Sequence, residues 1–137
     1  MIIIGERLNS SRPSVREAMA KKDEIYLAEQ ARLQVLAGAD YLDVNAAALL
    51  DREKDILRWA VPLLQDAAKV PLCIDTPDPG AMEVALKAHR GRALLNSLSG
   101  EKKSLERLLP LVKEYRPRVI VLCLDDNGPA ATQHNCR

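Results

Sequence analysis

Short apolar runs alternate with longer segments in which apolar residues recur every three or four positions, from residue 1 to about residue 125. Runs of four to six apolar residues are typical of buried strands, and the longer periodic segments are typical of helices that bury one face. We predict five strands, at residues 2–4, 41–44, 71–74, 92–95 and 119–124. Regular alternation of strand and helix is the pattern of a parallel α/β sheet.

Four helical segments are predicted to connect these strands. The first connection contains two helices, at 13–21 and at about 24–37, the second of which is capped by Asp23 and stopped by Gly38. The other connections are predicted at 51–69, from 79 to 90, and at 102–115. Because Pro62 removes a helical hydrogen bond, we expect a kink or an interruption there.

The length of the chain limits the architecture that these elements can form. It has 137 residues, whereas a closed (β/α)₈ barrel usually needs ~250. The fold class we predict is therefore α/β, a parallel βα repeat that forms an incomplete TIM barrel. Residues 1–126 carry the repeat. From 127 to 137 the apolar period is lost, and we expect an irregular tail.

Composition and charge narrow the function classes. Apolar residues make up 47% and charged residues 28% of the chain, as in folded soluble domains. The net charge is +1 with the two signs interleaved, and aromatic residues are few, so nucleic acid is not an expected partner. The N-terminal apolar run lacks a basic flank and is too short for a membrane span. We expect a cytoplasmic protein without a membrane partner.

The cysteines and histidines give no catalytic signal. Cys73, Cys123 and Cys136 are far apart and form no CxxC pair. Cys73 and Cys123 lie in predicted strands, where a buried thiol behaves as a small apolar side chain. His89 at a predicted helix end and His134 in the tail are expected at the surface.

Polar residues gather where the predicted strands end. In a parallel α/β sheet the ligand site lies beyond the carboxyl ends of the strands, where the loops converge. The candidates are carboxylates, amides and a hydroxyl: Glu6, Asn9, Asp43, Asn45, Asp75, Asn96, Ser97, and Asp125 with its neighbour Asp126. Each could instead be a helix N-cap, since Asp, Asn and Ser are preferred there.

The chemistry of these side chains suggests a ligand class. Asp and Asn present acceptors and amide donors in a plane, which matches the edge of a heterocycle with alternating N–H and C=O groups. No His or Lys lies at a predicted strand end, and the sequence has no GxGxxG or P-loop pattern. Metal hydrolysis, Schiff-base chemistry and nucleotide binding therefore lack their usual residues.

Four strand-end motifs together resemble the pterin-binding family. They are Ile-Gly-Glu-Arg-Leu-Asn at 4–9, Gly-Ala-Asp-Tyr-Leu-Asp-Val-Asn at 38–45, Cys-Ile-Asp-Thr at 73–76 and Leu-Leu-Asn-Ser at 94–97. Each motif alone is weak, but the four occur in the order of the family and the resemblance covers residues 1–126. The opening motif is more similar to the methyltetrahydrofolate:corrinoid methyltransferase branch than to dihydropteroate synthase, whose first loop typically reads Asn-x-Thr-Pro-Asp-Ser.

The resemblance implies a methyl transfer between N5 of methyltetrahydrofolate and the cobalamin (corrinoid) of a partner protein, with the enzyme supplying mainly orientation and electrostatics. It places the pterin ring on Asp75 and Asn96. Further predicted pocket positions are Asn9, Asp43, Asn45, Glu6, Ser97 and Asp125. In the family, the side chain that reaches N5 comes from the sixth and seventh strands of the parallel barrel. This sequence has neither of these barrel strands, so no catalytic residue is assigned.

Two alternatives stay open from the sequence. One is a pterin-binding enzyme similar to dihydropteroate synthase, which takes a pterin pyrophosphate. The other is a non-catalytic half-barrel, in which two copies associate through open sheet edges, because unpaired edges and the apolar surface beside them favour association. A homodimer or other self-association is therefore expected.

Overall fold

A computed structural model describes residues 1–129 and contains a five-stranded parallel sheet in the order β1-β2-β3-β4-β5. The strands are β1 (Ile4–Asn9), β2 (Tyr41–Asn45), β3 (Leu72–Asp75), β4 (Leu94–Ser99) and β5 (Arg118–Leu122). The helices are α1 (Pro13–Lys21), α2 (Glu24–Leu36), α3 (Glu53–Ala68), α4 (Pro79–Ala88) and α5 (Lys102–Tyr115), with a 3₁₀ segment at Ala47–Arg52. This is the predicted partial α/β barrel, with helical connections between all five strands.

Local signals in the sequence explain where several helices begin. The Asp23 carboxylate accepts a hydrogen bond from the backbone N–H of Tyr26 and caps α2. Asp78 caps α4 in the same way, through the N–H groups of Gly80 and Ala81, and each cap satisfies amide groups that lack a helical partner. A kink or an interruption was expected at Pro62; the interruption is wrong, because α3 continues through Pro62, and the kink stays a prediction. The carbonyl freed by the proline belongs to Arg58, an exposed residue, where water can replace the lost bond.

The helices cover one face of the sheet and build the main core there. Strand residues of that face, such as Leu42, Ile74 and Leu95, are fully buried and pack in one cluster with α3 and α4 residues such as Leu57 and Met82. Because side chains alternate along a strand, the residues between them point to the opposite face, which we call the inner face.

The lower part of the inner face is itself apolar. Tyr41, Cys73 and Leu94 are buried together, with Ile4 and Ile120 packed beside them. Arg118 of β5 donates a hydrogen bond to the Tyr41 hydroxyl, and its guanidinium carbon lies 5.9 Å from the centre of that ring. Since two strands separate β2 from β5, this contact shows that the sheet curls toward its inner face.

Two strands differ from the prediction in a way that moves candidate site residues. We predicted 2–4 for the first strand, but β1 starts at Ile4 and continues to Asn9, so Glu6 lies inside the strand. We predicted 92–95 for the fourth, but β4 continues to Ser99 and contains Asn96 and Ser97. Most residues of both extensions are polar, and the buried apolar residues Leu8 and Leu98 stand singly among them, so no apolar run identifies these positions as strand.

The end of the described chain forms a small hairpin. The fifth strand ends at Leu122 rather than 124, and two further short strands, β6 (Leu124–Asp125) and β7 (Gly128–Pro129), pair antiparallel. We expected an irregular segment from 127 onward; Gly128 and Pro129 pair in this hairpin, and positions 130–137 lie outside the described residues.

The structure corrects the predicted solvent exposure of one histidine and one cysteine. His89 is buried, with 8% of its surface exposed, because its ring accepts a hydrogen bond from the buried Leu72 N–H. Cys73 is buried as predicted, whereas Cys123 is exposed, because it follows β5 rather than lying within it. The expectations for His134 and Cys136 fall outside the described residues.

Candidate functional site

Four of the predicted site residues lie together on the inner face, within β2, β3 and β4. Asp43 and Asn45 are two positions apart in β2 and therefore share a face. Asp75 of β3 and Asn96 of β4 are direct partners in the parallel register. Asp43 pairs with Cys73, one row below Asp75. The sheet thus assembles two carboxylates and two amides above its apolar lower layer.

The first link in this cluster joins Asn45 to Asp75. The Asn45 amide nitrogen Nδ2 donates to Asp75 Oδ2 at 2.9 Å. The other end of the Asn45 amide is also held, because its Oδ1 accepts from the backbone N–H of Ala47 at 3.0 Å and from the Ser10 hydroxyl at 3.3 Å. With both ends of its amide engaged, Asn45 fixes the Asp75 carboxylate and leaves Asp75 Oδ1 for other donors.

The second link joins Asn96 to Asp43 across β3. Asn96 Nδ2 donates to Asp43 Oδ2 at 3.1 Å, which leaves the Asn96 carbonyl oxygen Oδ1 without a partner in the part of the chain that is described. Asp43 is only 3% exposed. Burial raises the pKa of its carboxyl, hydrogen bonds from Asn96 and the Cys73 thiol oppose that rise, and the nearby charges of Asp75 and Glu6 add to it.

The buried Cys73 thiol has no nucleophilic character. Burial raises its pKa well above the usual range, and the neighbouring carboxylate of Asp43 raises it further. The thiol therefore stays protonated and serves as a donor to Asp43.

Glu6 reaches the inner face through an irregularity in β1. The register between β1 and β2 shifts between Gly5 and Leu8, as in a β-bulge. The backbone N–H of Arg7, which the bulge releases from the ladder, donates to Gln34 Oε1 of α2 at 2.9 Å. Glu6 is exposed, and it is close enough to raise the pKa values of Asp43 and Cys73.

The four remaining predicted residues stand apart from the cluster. The Asp126 carboxylate accepts from the backbone N–H of Lys102 at 3.2 Å, at the start of α5. The Asn9 side chain accepts from the Ser11 N–H at 2.8 Å and shapes the turn after β1. Asp125 accepts from the Asn127 N–H at 2.8 Å and shapes the hairpin. Asn9 and Asp125 therefore both stabilise local turns, and neither caps a helix as the alternative interpretation supposed. Ser97 lines a groove next to α5.

Sequence reasoning missed several residues that hold the cluster in place. Ser10 is fully buried; its hydroxyl donates to Asn45 and accepts from the Ala48 N–H at 3.0 Å. The Thr76 hydroxyl donates to the buried Glu53 carboxylate at 2.5 Å and fixes the residue that follows Asp75. Thr76 belongs to the Cys-Ile-Asp-Thr motif, which is a usable signal, but nothing in the sequence marks Glu53 as its partner.

The cluster can accept hydrogen bonds from a planar ligand with adjacent N–H donors. Asp75 Oδ1 and Asn96 Oδ1 are acceptors from adjacent, paired strand positions. Within residues 1–129 no group of three or more His, Cys, Asp or Glu side chains has an arrangement that could hold a metal ion. No helix in the same residues is both long and apolar enough to cross a membrane.

This partial barrel, with its amides and carboxylates at the strand ends, belongs to the pterin-binding enzymes. The family described as "Pterin binding enzyme" matches residues 5–136, almost the whole chain, which confirms the resemblance drawn from the four motifs.

Among known relatives, the chain is similar to the methylcorrinoid:tetrahydrofolate methyltransferase of Eubacterium limosum. The two are 38% identical over 130 residues, which cover 93% of this chain and 48% of the relative. The chain thus spans about half the length of the curated relative that it matches.

Proposed function

We propose that the inner face binds the pterin ring of a tetrahydrofolate and that Asp75 and Asn96 make the direct contacts. The single observation that carries this proposal is the pair of amide-to-carboxylate hydrogen bonds, Asn45 to Asp75 and Asn96 to Asp43. Each bond uses one donor of an amide, and together they leave Asp75 Oδ1 and Asn96 Oδ1 as acceptors for a ligand.

The acceptors suit the chemistry of a pterin. A pterin carries an amino group next to a ring N–H, and a carboxylate can accept from both at once, as it does from the fork of an arginine. Asp75 is the carboxylate with an unengaged oxygen, and Asn96 adds a carbonyl acceptor from the next strand. In this proposal Asn45 and Asp43 are positioning residues, because each holds one of the two contact residues.

We further propose that this binding serves methyl transfer between the folate N5 and a corrinoid carried by a partner protein. The name of the Eubacterium limosum relative contains both a methylcorrinoid and tetrahydrofolate. The corrinoid supplies the cobalt that exchanges the methyl group. The residues of this chain bind and orient the pterin and exclude water from its ring edge, and none of the described residues is assigned to N5.

The proposal is tested by calorimetric titration of the chain with methyltetrahydrofolate. Asp75→Asn keeps the shape of the side chain but replaces a charged acceptor by an amide, and Asn96→Ala removes the second acceptor. Hydrogen bonds to charged groups are worth about 1.5–3 kcal/mol, so we expect Asp75→Asn to weaken binding by about 10- to 100-fold. Asn96→Ala removes a neutral acceptor and should cost about 3- to 10-fold.

A matched control removes a carboxylate that has no part in the cluster. Asp55 pairs with Arg58 on the exposed surface of α3, so Asp55→Asn should bind as the wild type does. Circular dichroism establishes that each variant is folded. Equal affinity of wild type and Asp75→Asn, with both folded, contradicts the proposal.

We also propose that the chain self-associates through its sheet edges. β5 pairs only with β4 in the described sheet, and its outer part is exposed and apolar, with Val121 62% exposed and Leu122 42% exposed. Such an edge favours pairing with another chain. Light scattering after gel filtration should give a mass above 15.2 kDa that falls toward the monomer in Val121→Lys. A monomer at all concentrations refutes self-association.

A further inference from the structure

A groove beside the candidate site is not used by the proposed pterin contacts. It lies between the loop after β3, the end of β4, the first turns of α5 and the terminal hairpin, and has a volume of about 240 Å³. Thr76 and Ser97 line it, and they directly follow Asp75 and Asn96 in the chain. The groove therefore adjoins the proposed pterin contacts and opens toward α5. We call it the α5 groove.

The α5 groove combines an apolar wall with cations. Leu108, Leu122 and Leu124 supply apolar surface, and Lys103 and Arg107 supply positive charge. Because Lys103 and Arg107 are four residues apart on α5, they share one face of the helix. A flat apolar group followed by an anion matches this arrangement, since the anion can reach the two cations while the apolar part lies on the leucines.

The two cations differ from most basic residues on the other helices. Lys21 of α1 and Lys87 of α4 each have a glutamate within 4 Å, one turn away on the same helix, and Lys54 and Arg58 of α3 each have an aspartate within that distance. Among residues 1–129, neither Lys103 nor Arg107 has an acidic side chain within that distance. A ligand anion there would not have to displace an existing ion pair.

The acidic residue of the groove is already engaged. The Glu101 carboxylate also lines the groove, and its Oε2 accepts from the Ser99 hydroxyl at 2.7 Å. One carboxylate against two cations leaves the groove with a net positive charge. That charge favours an anionic ligand over a neutral one.

We propose that the α5 groove binds the aryl-carboxylate tail of a folate, with the p-aminobenzoyl ring on the leucines and the glutamate carboxylates at Lys103 and Arg107. This inference rests on the proposed function, because it requires the pterin ring at Asp75 and Asn96. It adds a substrate preference: folates with more glutamate residues bind more tightly, while a pterin without a tail gains nothing from the groove.

The test compares ligands that share a reduced pterin ring but differ in the tail. Calorimetry is run with 6-methyltetrahydropterin, with tetrahydrofolate carrying one or three glutamates, and with 6-hydroxymethyl-7,8-dihydropterin pyrophosphate. The variants are the double substitution Lys103→Ala/Arg107→Ala and the control Lys102→Ala/Lys113→Ala. The control removes the same charge from the same helix at positions that do not line the α5 groove.

The expected result is a loss confined to the tailed ligands. Lys103→Ala/Arg107→Ala should weaken tetrahydrofolate binding by about 3- to 10-fold, the size expected for two partly screened ion pairs, and should weaken the triglutamate form more. Its affinity for 6-methyltetrahydropterin should equal that of the wild type. The control should bind every ligand as the wild type does, and higher salt should reduce the difference between variants.

The outcomes separate this inference from the proposed function. If 6-methyltetrahydropterin and tetrahydrofolate both fail to bind the wild type, both ideas are overturned. If they bind and the double substitution leaves tetrahydrofolate affinity unchanged, the tail site is overturned while the pterin site stands. A larger effect on the pyrophosphate than on any folate overturns the folate assignment and favours a phosphorylated pterin as the ligand.

Discussion

Removing the His89 imidazole should destabilise the strand that carries Asp75. The ring nitrogen Nε2 of His89 accepts from the backbone N–H of Leu72 at 3.0 Å and lies 3.2 Å from Gln65 Nε2, while Nδ1 lies 3.2 Å from the Gly91 carbonyl. A neutral ring with its proton on Nδ1 satisfies all three contacts. His89 thereby completes the hydrogen bonding of the first residue of β3.

The size of the effect follows from burial. In His89→Ala the fully buried Leu72 N–H loses its acceptor, and an unsatisfied buried donor costs about 1–3 kcal/mol. Loss of the buried ring adds a packing term, so a total loss of about 2–4 kcal/mol is expected. Urea denaturation at pH 7.5, followed by circular dichroism, measures this difference in the free energy of unfolding.

The pH dependence gives a sharper test than the loss itself. Burial lowers the pKa of His89, the Gly91 carbonyl partly opposes this, and the charge of Arg90 adds to the lowering. The stability contributed by the neutral ring is therefore fully present above the ordinary histidine pKa of about 6.5. It declines as the pH falls below that value, because the unfolded chain binds the proton first.

The stability difference between wild type and His89→Ala should consequently shrink between pH 7.5 and pH 5.5. A difference that stays constant over this range would show that protonation of the ring does not oppose folding. In that case the assignment of Nε2 as the acceptor for Leu72 would be refuted.

Two further substitutions test the support of the site. Gly5→Ala would place a methyl carbon 2.6 Å from Gln34 Oε1, so we expect a loss of about 1–3 kcal/mol in urea denaturation; an equal loss in a Gln34→Ala background would contradict the clash. Asp43→Asn keeps an acceptor for Asn96 but removes a buried carboxyl whose pKa is raised chiefly by burial. A raised carboxyl pKa means that the charged form of Asp43, present at pH 7, destabilises the folded state, whereas the protonated form at low pH does not. The variant should therefore melt at a higher temperature than the wild type at pH 7, with a smaller difference at pH 4. A lower melting temperature of the variant at pH 7 would argue against this.

The elements with local signals were predictable from the sequence. Helix α5 has the predicted bounds, and α2 begins after the predicted cap Asp23. The central strands β2 and β3 are within one residue of the prediction, because both faces near their starts are buried and apolar. These features depend on residues that are close in the sequence, so the apolar pattern and the capping residues predict them.

The errors occurred where polar residues lie in strands. The end of β4 contains Asn96, Ser97 and Ser99, and such residues are typical of turns rather than strands. β1 is an edge strand with a bulge at Glu6 and Arg7, which are exposed and give no apolar signal. The polar residues at these positions indicate a functional site, and for the same reason the apolar pattern does not predict a strand there.

The candidate site was predictable as a set of residues but not as a network. Alternation along strands and the convergence of strand ends place Asp43, Asn45, Asp75 and Asn96 near one another. Which amide holds which carboxylate depends on contacts between residues 30 and 53 positions apart. The supporting contact from Glu53 to Thr76 likewise depends on tertiary packing that no local pattern encodes.

The central claim is that the inner face binds a pterin ring, and amide NMR mapping tests it most directly. Titration of ¹⁵N-labelled chain with 6-methyltetrahydropterin should shift backbone amides around Asp43, Asp75 and Asn96, saturably, and leave the outer faces of α2 and α3 unchanged. The same titration of Asp75→Asn should give much smaller shifts at equal ligand concentration. Shifts confined to the helical surface, or identical shifts in the variant, would contradict the account.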